Sequence, residues 1–252
     1  MLRVQNLTKR FGHVMAISNV SANIRKGRVT ALLGDNGAGK STLVKMICGT
    51  YKPTQGSVWV NGKQVHMDSA RDALALGITA VYQDLALVDQ RNVIHNISLG
   101  NIPTKWGGLV VDRKKMRETA ENALSYMKAK LPSLDIPVSS MSGGQRQAVA
   151  IARACASGGQ LVIMDEPTAA LGIREQRMVL DVVHDLRAHG TSVLIISHNL
   201  DHVFEVADDL LILRGGRVVA EVERNAVSHD EVVRLILAGQ PRDADLEEEV
   251  AA

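Results

Sequence analysis

The chain has 252 residues, 46% hydrophobic and 22% charged, with a formal net charge of +2. This is the make-up of an ordinary soluble globular chain, long enough for one large or two small domains. It argues against a nucleic-acid partner: Lys and Arg run together only in "DRKKMR" (112–117), and an aromatic fraction of 3% leaves little for base stacking.

In chain order, "MLRVQNLTKRFG" lacks the apolar centre of a secretory signal, and no apolar run approaches the ~20 residues of a membrane span. The chain therefore reads as soluble and cytoplasmic, and any membrane span has to come from another chain. Residues 2–7 and 14–24 alternate as half-buried strands do, "RKGR" (25–28) reads as a turn, and "VTALLG" (29–34) as a short buried strand. "KSTLVKMICGT" has helical spacing and closes near Gly49; "GSVWVNGKQV" (56–65) predicts a hairpin turning at Asn61-Gly62; "GITAVYQ" (77–83) predicts another strand.

From 84 to 157 helical periodicity takes over, at 91–100, 112–130 and 143–157, with Asp112 as the N-cap of the second helix. Strands return at "LVIMDE" (161–166), "TSVLIISH" (191–198) and "DLLILRGGRVV" (209–219), with an amphipathic helix at 173–189. The acidic "DADLEEEV" near the end reads as a solvated tail. Cys48 and Cys155 lie far apart in apolar, helix-like contexts, as buried small hydrophobes of a reducing compartment do.

The alternation predicts an α/β fold: a mainly parallel sheet flanked by helices, an N-terminal antiparallel side sheet, and an inserted helical lobe. The expected division is a core of residues 1–83 and 158–222, an insert of 84–157, and a C-terminal helix and tail of 223–252.

"GDNGAGKST" (34–42) matches G-x-x-x-x-G-K-[ST] in full, between a strand and a helix. Gly34, Asp35, Asn36, Gly37, Ala38 and Gly39 would turn backbone N–H groups onto phosphate oxygens, and the helix N-terminus adds a favourable dipole. Lys40 would reach the β- and γ-phosphates, Ser41 would offer its hydroxyl to Mg²⁺, and Thr42 would lie beside the phosphates. Two adjacent acids at a strand mouth then have a use: Asp165 for Mg²⁺ through water, and Glu166 as a general base or water-orienting group. His198 and His202 stand at i, i+4 as in a zinc helix, but Asn199 fills the place of the required Glu, so a metal site there is rejected. His202 and "DRKKMR" are read as helix surface.

With these motifs in order, the chain resembles the ATP-binding cassette ATPases of ABC transporters, over roughly residues 1–222. "MSGGQRQ" (141–147) is similar to that family's LSGGQ signature, with Met141 in the leucine position. Gln83 matches its Q-loop glutamine, a Mg²⁺ and catalytic contact; His198 matches its switch histidine; and Phe11 stands where the family places an aromatic against adenine.

The resemblance implies ATP and Mg²⁺ as cofactors and a homodimer with ATP sandwiched head to tail. Ser142, Gly143, Gly144 and Gln145 would then face the nucleotide of the other subunit. It further implies separate transmembrane permease subunits, a periplasmic or extracellular solute-binding protein, and a peripheral place on the cytoplasmic face of the membrane. "YQDLALVDQRNVIHNISLGN" (82–101) and "EPTAALG" resemble the sugar-importer branch of ribose, xylose and fructose type, which implies import of a monosaccharide. Where the family's D-loop reads SALD, this chain has Ala169, Ala170, Leu171 and Gly172, which puts the strength of coupling between paired ATP sites in doubt. A nucleotide-binding regulator with little turnover is the alternative reading.

Overall fold

The computed structural model describes residues 1–129 and 131–238. The acidic tail expected at the C-terminus lies outside the described residues. Two long strands, β1 (Leu2–Phe11) and β2 (Val14–Ile24), pair antiparallel, and β3 (Val29–Leu33) leads through the glycine loop into α1 (Lys40–Ile47). The hairpin β4 (Gln55–Val60) and β5 (Lys63–Val65) completes a four-stranded sheet in the order β2-β1-β4-β5. Asn61 and Gly62 both take positive φ in its two-residue turn, as the sequence predicts.

A short helix, α2 (Ala70–Ala75), precedes β6 (Ile78–Val81). It was not anticipated, yet "SARD" carries its signal: the Asp72 carboxylate accepts from both the backbone and the hydroxyl of Ser69. Next come α3 (Val93–Ser98), the small unanticipated hairpin β7 (Thr104–Lys105) and β8 (Val110–Val111), α4 (Arg113–Tyr126) and α5 (Gly143–Ala156). Asp112 caps α4 by accepting from the Lys115 N–H at 3.1 Å. The chain then alternates through β9 (Leu161–Asp165), α6 (Ile173–Ala188), β10 (Ser192–Ile196), α7 (Leu200–Val206), β11 (Asp209–Arg214), β12 (Arg217–Glu223) and α8 (His229–Leu237).

The second sheet has the order β12-β11-β3-β10-β9-β6, parallel except for the β11–β12 hairpin. Its central strands β3, β9 and β10 are buried along almost their whole length because both faces are covered, and side-chain alternation feeds two cores. Val162 and Met164 of β9, with Val193 and Ile195 of β10, pack under α3–α8. Leu161, Ile163, Leu194 and Ile196 point the other way, against α1 and the antiparallel sheet. Burial pushes the thiol of Cys48 up to about 11 and that of Cys155 up to about 12, so both are neutral at physiological pH.

The turn at 25–28 is anchored by charge. Asp209 is buried and receives Arg28 through Nε at 2.9 Å and a second nitrogen at 2.8 Å, and Arg25 through Nε at 3.0 Å. The two guanidiniums keep 40% and 33% of their side-chain exposure, so the carboxylate is the desolvated partner. Asp209→Ala should lower stability by about 1–3 kcal/mol, less than a wholly buried pair. A urea midpoint within error of the unsubstituted protein would show the cluster to be neutral.

Candidate functional site

The parallel strands end together, and the glycine loop, Gln83, Asp165, Glu166 and His198 gather at that end of the sheet, while Phe11 and Ser142–Gln145 stand elsewhere on the chain. β3 delivers Gly34 with φ +145°, and the loop turns through Gly37 at +80° and Gly39 at +102°. A Cβ on Gly39 would lie 2.7 Å from Ile17 Cδ1 and 2.8 Å from the Ala16 carbonyl oxygen, so β2 presses the loop from behind. Within the loop, Asn36 N–H donates to the Asp35 side chain at 2.7 Å and Ala38 N–H to the Asp35 carbonyl at 3.1 Å. Gly39 is the N-cap of α1 and offers no side-chain cap, so the first-turn N–H groups of Lys40, Ser41 and Thr42 are left for an external acceptor. Lys40 Nζ meanwhile rests on the carbonyl oxygens of Gly34 at 2.7 Å and Asp35 at 3.0 Å. A loop of this shape, cationic and rich in free donors, suits a polyphosphate.

β9 ends in Asp165, registered beside Ile196 of β10. Burial and the neighbouring Glu166 push the Asp165 carboxyl up, against the pull of Lys40 and Lys45. Its charge is disfavoured in the free protein, which is the state a bound cation relieves. Glu166 adopts a left-handed backbone, φ +50°, fixed by its N–H donating to the Ile196 carbonyl at 2.9 Å. Such a conformation costs a non-glycine residue ~1–3 kcal/mol, and here it brings the carboxylate to 2.9 Å from His198 Nδ1. His198 itself is 81% exposed and faces outward beyond β10.

Gln83 lies two residues beyond β6, which is hydrogen-bonded to β9, so it opens on the same end of the sheet and is exposed. The stretch after it is bound to α5 and α3. Arg153 donates to the carbonyls of Leu85 at 2.6 Å and Ala86 at 2.8 Å, Arg146 pairs with Asp89 at 2.7 Å, and Asn96 clasps Val88 at both ends of its amide.

Phe11 is 43% exposed at the β1–β2 turn, and it is paired: Tyr51 meets it edge-on at 5.3 Å, with Lys9 Nζ 5.0 Å above its ring. Tyr51 and Lys45 were missed by sequence reasoning, and no local pattern marks them, because the fold alone brings them beside Phe11 and Asp165. His202 is corrected from a plain surface residue. Its Nδ1 lies 3.1 Å from Oγ1 of the buried Thr168, tying α7 to the segment after Glu166.

Ser142, Gly143, Gly144 and Gln145 open α5 in a capping box, Ser142 N–H donating to Gln145 Oε1 at 3.0 Å. Among the described residues, no hydrogen bond joins them to the glycine loop of the same chain. Gly172 begins α6 with φ −69°, a conformation open to any residue, and a Cβ there would meet only Glu175 Oε2 at 3.7 Å. The glycine at that place is therefore not imposed by the backbone.

A family model described as "ABC transporter" matches residues 17–169. The chain belongs to this family. The cassette is 41% identical over 236 residues to the xylose/arabinose import ATP-binding protein XylG of Sulfolobus acidocaldarius, covering 94% of this chain and 93% of that one. It is 38% identical over 253 residues to the fructose import ATP-binding protein FrcA of Rhizobium meliloti, covering 97% of each. It spans about half (49%) of the ribose import ATP-binding protein RbsA of Caldanaerobacter subterraneus, at 36% identity over 243 residues. Among solved structures, the ADP conformation of MJ1267, an ATP-binding cassette of an ABC transporter, superposes with a TM-score of 0.79 at 29% identity, covering 94% of each chain. The mainly parallel sheet, its flanking helices and the antiparallel N-terminal sheet are those of the cassette fold. As an ATP-binding cassette, the chain binds ATP. Among the described residues, no helix is long and apolar enough to cross a membrane.

Proposed function

We propose that the cassette is the ATP-hydrolysing subunit of a monosaccharide importer, working as a homodimer at the cytoplasmic face of membrane-spanning permease chains that receive sugar from a solute-binding protein. The observation that carries the enzymatic part is the 2.9 Å Glu166–His198 contact, standing beside a cationic loop with free N–H donors. The sugar reading rests on the names of the xylose/arabinose, fructose and ribose relatives.

In this reading Gly34–Thr42 hold the phosphates, and Lys40 leaves its loop carbonyls for the β- and γ-phosphates. Phe11, in its pair with Tyr51, takes the adenine. Ser41 and Asp165 would hold Mg²⁺ with Gln83 close to it, and the ion would neutralise charge on the phosphates. Glu166 orients and deprotonates the attacking water, and His198 steadies that carboxylate and contacts the γ-phosphate. Ser142, Gly143, Gly144 and Gln145 face the nucleotide of the partner cassette. Residues 1–83 with 158–222 form the nucleotide-binding core, 84–157 the lobe that moves against it, and 223–252 a C-terminal appendage.

Phosphate release by the purified cassette, alone and with its permease in proteoliposomes, tests this. Release should require Mg²⁺ and rise when the permease and a loaded sugar-binding protein are added. ATP binding without turnover under both conditions would reduce the chain to a regulatory module.

A further inference from the structure

A carboxylate of the same cassette stands against the start of α5: both oxygens of Glu175 lie within 4.0 Å of a Cβ placed on Gly143. Glu175, in the first turn of α6, accepts from the Gly172 N–H through Oε2 at 3.2 Å, and α6 lies hard against α5 at this point. A Cβ on Gly144 would stand 3.0 Å from Glu175 Cβ and 3.3 Å from its Cα, and one on Gly143 would stand 2.7 Å from Leu171 Cδ2 and 3.8 Å from Glu175 Oε2. The two glycines are therefore what let the segment after "DEPTAA" approach the signature helix. Ser142 Oγ accepts from the Gln145 N–H, which leaves its own proton free to donate. The Gly172 N–H first, and then the nearby Ser142 hydroxyl and the N–H groups at the start of α5, hold the Glu175 carboxyl below the ordinary carboxylate range, so it is ionised at neutral pH.

We propose that Glu175 is a positioning residue whose carboxylate guards the anion seat at Ser142–Gly144 in the separated cassette and opposes entry of the γ-phosphate of a partner's nucleotide. The inference rests on the reading of residues 142–145 as the face turned to that nucleotide. Two anions brought this close repel each other, so the carboxylate sets a threshold on ATP-driven pairing. It also links the two elements in one chain: the same carboxylate accepts from the Gly172 N–H, at the place where the family's D-loop carries an acid and this chain has none.

The test uses the full chain in a Glu166→Gln background, so that ATP-bound dimers accumulate, with dimer fraction followed by sedimentation velocity as ATP is titrated. Glu175→Gln keeps the side-chain volume and an acceptor for Gly172, and should lower the half-saturating ATP concentration about threefold at low salt, the scale of one exposed charge contact. The difference should shrink at high salt. Glu175→Ala should shift the same way, and thermal melts check that each variant is folded; should the alanine variant fail to fold, the isosteric glutamine carries the test. An unchanged or raised ATP requirement in folded Glu175→Gln overturns the proposal. Ser142→Ala separates the two levels: it should raise the ATP requirement, and if it does not, the reading of 142–145 fails instead.

Discussion

Glu166→Gln should cut steady-state phosphate release by about 10²–10⁴-fold, the usual value of a positioned base, while ATP affinity stays close to that of the unsubstituted cassette. The structure makes this a clean substitution. Glutamine fills the same volume, its backbone can keep the bond to the Ile196 carbonyl, and its amide can still face His198 Nδ1. What it loses is the ability to take a proton. The Lys40 ammonium, the glycine loop and the first turn of α1 are untouched, so phosphate binding persists. Paired measurements of phosphate release and fluorescent-nucleotide binding decide the matter. Turnover equal to the unsubstituted cassette would remove Glu166 as the base, and a joint loss of binding and turnover would make it a structural residue.

Gly34→Ala should be the most damaging single methyl group in the site. Its Cβ would fall 2.2 Å from the Leu213 carbonyl oxygen and 3.1 Å from Ala38 Cβ, at a φ of +145° that only glycine occupies readily. Either the loop or the end of β11 must move, at a cost of about 2–4 kcal/mol, and the loop's donors then miss the phosphates. Gly37→Ala is the control, because no atom lies within 4 Å of its Cβ and only the strain of φ +80° remains, about 1–2 kcal/mol. Urea unfolding with and without ATP separates the two. If Gly34→Ala gains as much stability from ATP as Gly37→Ala does, the contact with Leu213 is softer than the geometry implies.

The sheet was readable from the chain because its central strands are buried on both faces and so leave unbroken apolar runs, "LVIM" at 161–164 and "VLII" at 193–196. The glycine loop was readable because its chemistry is local. What escaped notice was either short or non-local. The helix α2 spans six residues, too few for periodicity to show. Tyr51 reaches Phe11 only once β1 and the segment after α1 come together, and Thr168 meets His202 across 34 positions. Glu175 looked like any helix-start acid, since the sequence does not show that a second helix begins against it. Gly172, conspicuous as a missing acid, has an unexceptional backbone, so nothing in the fold of this chain requires a glycine there.

The bonds from Arg153 and Arg146 to the stretch beyond Gln83 give α5 a mechanical character. Arg153 lies 11 residues, about 16 Å along the axis, from Ser142. Between them runs an uninterrupted helix whose inner face, from Ala148 to Ala152, is fully packed. A stiff rod held at two points, Arg146 and Arg153, cannot absorb a pull by bending. A displacement of the 85–89 stretch would therefore be carried along α5 to its tip at Ser142, as along a pushrod, rather than taken up inside the helix.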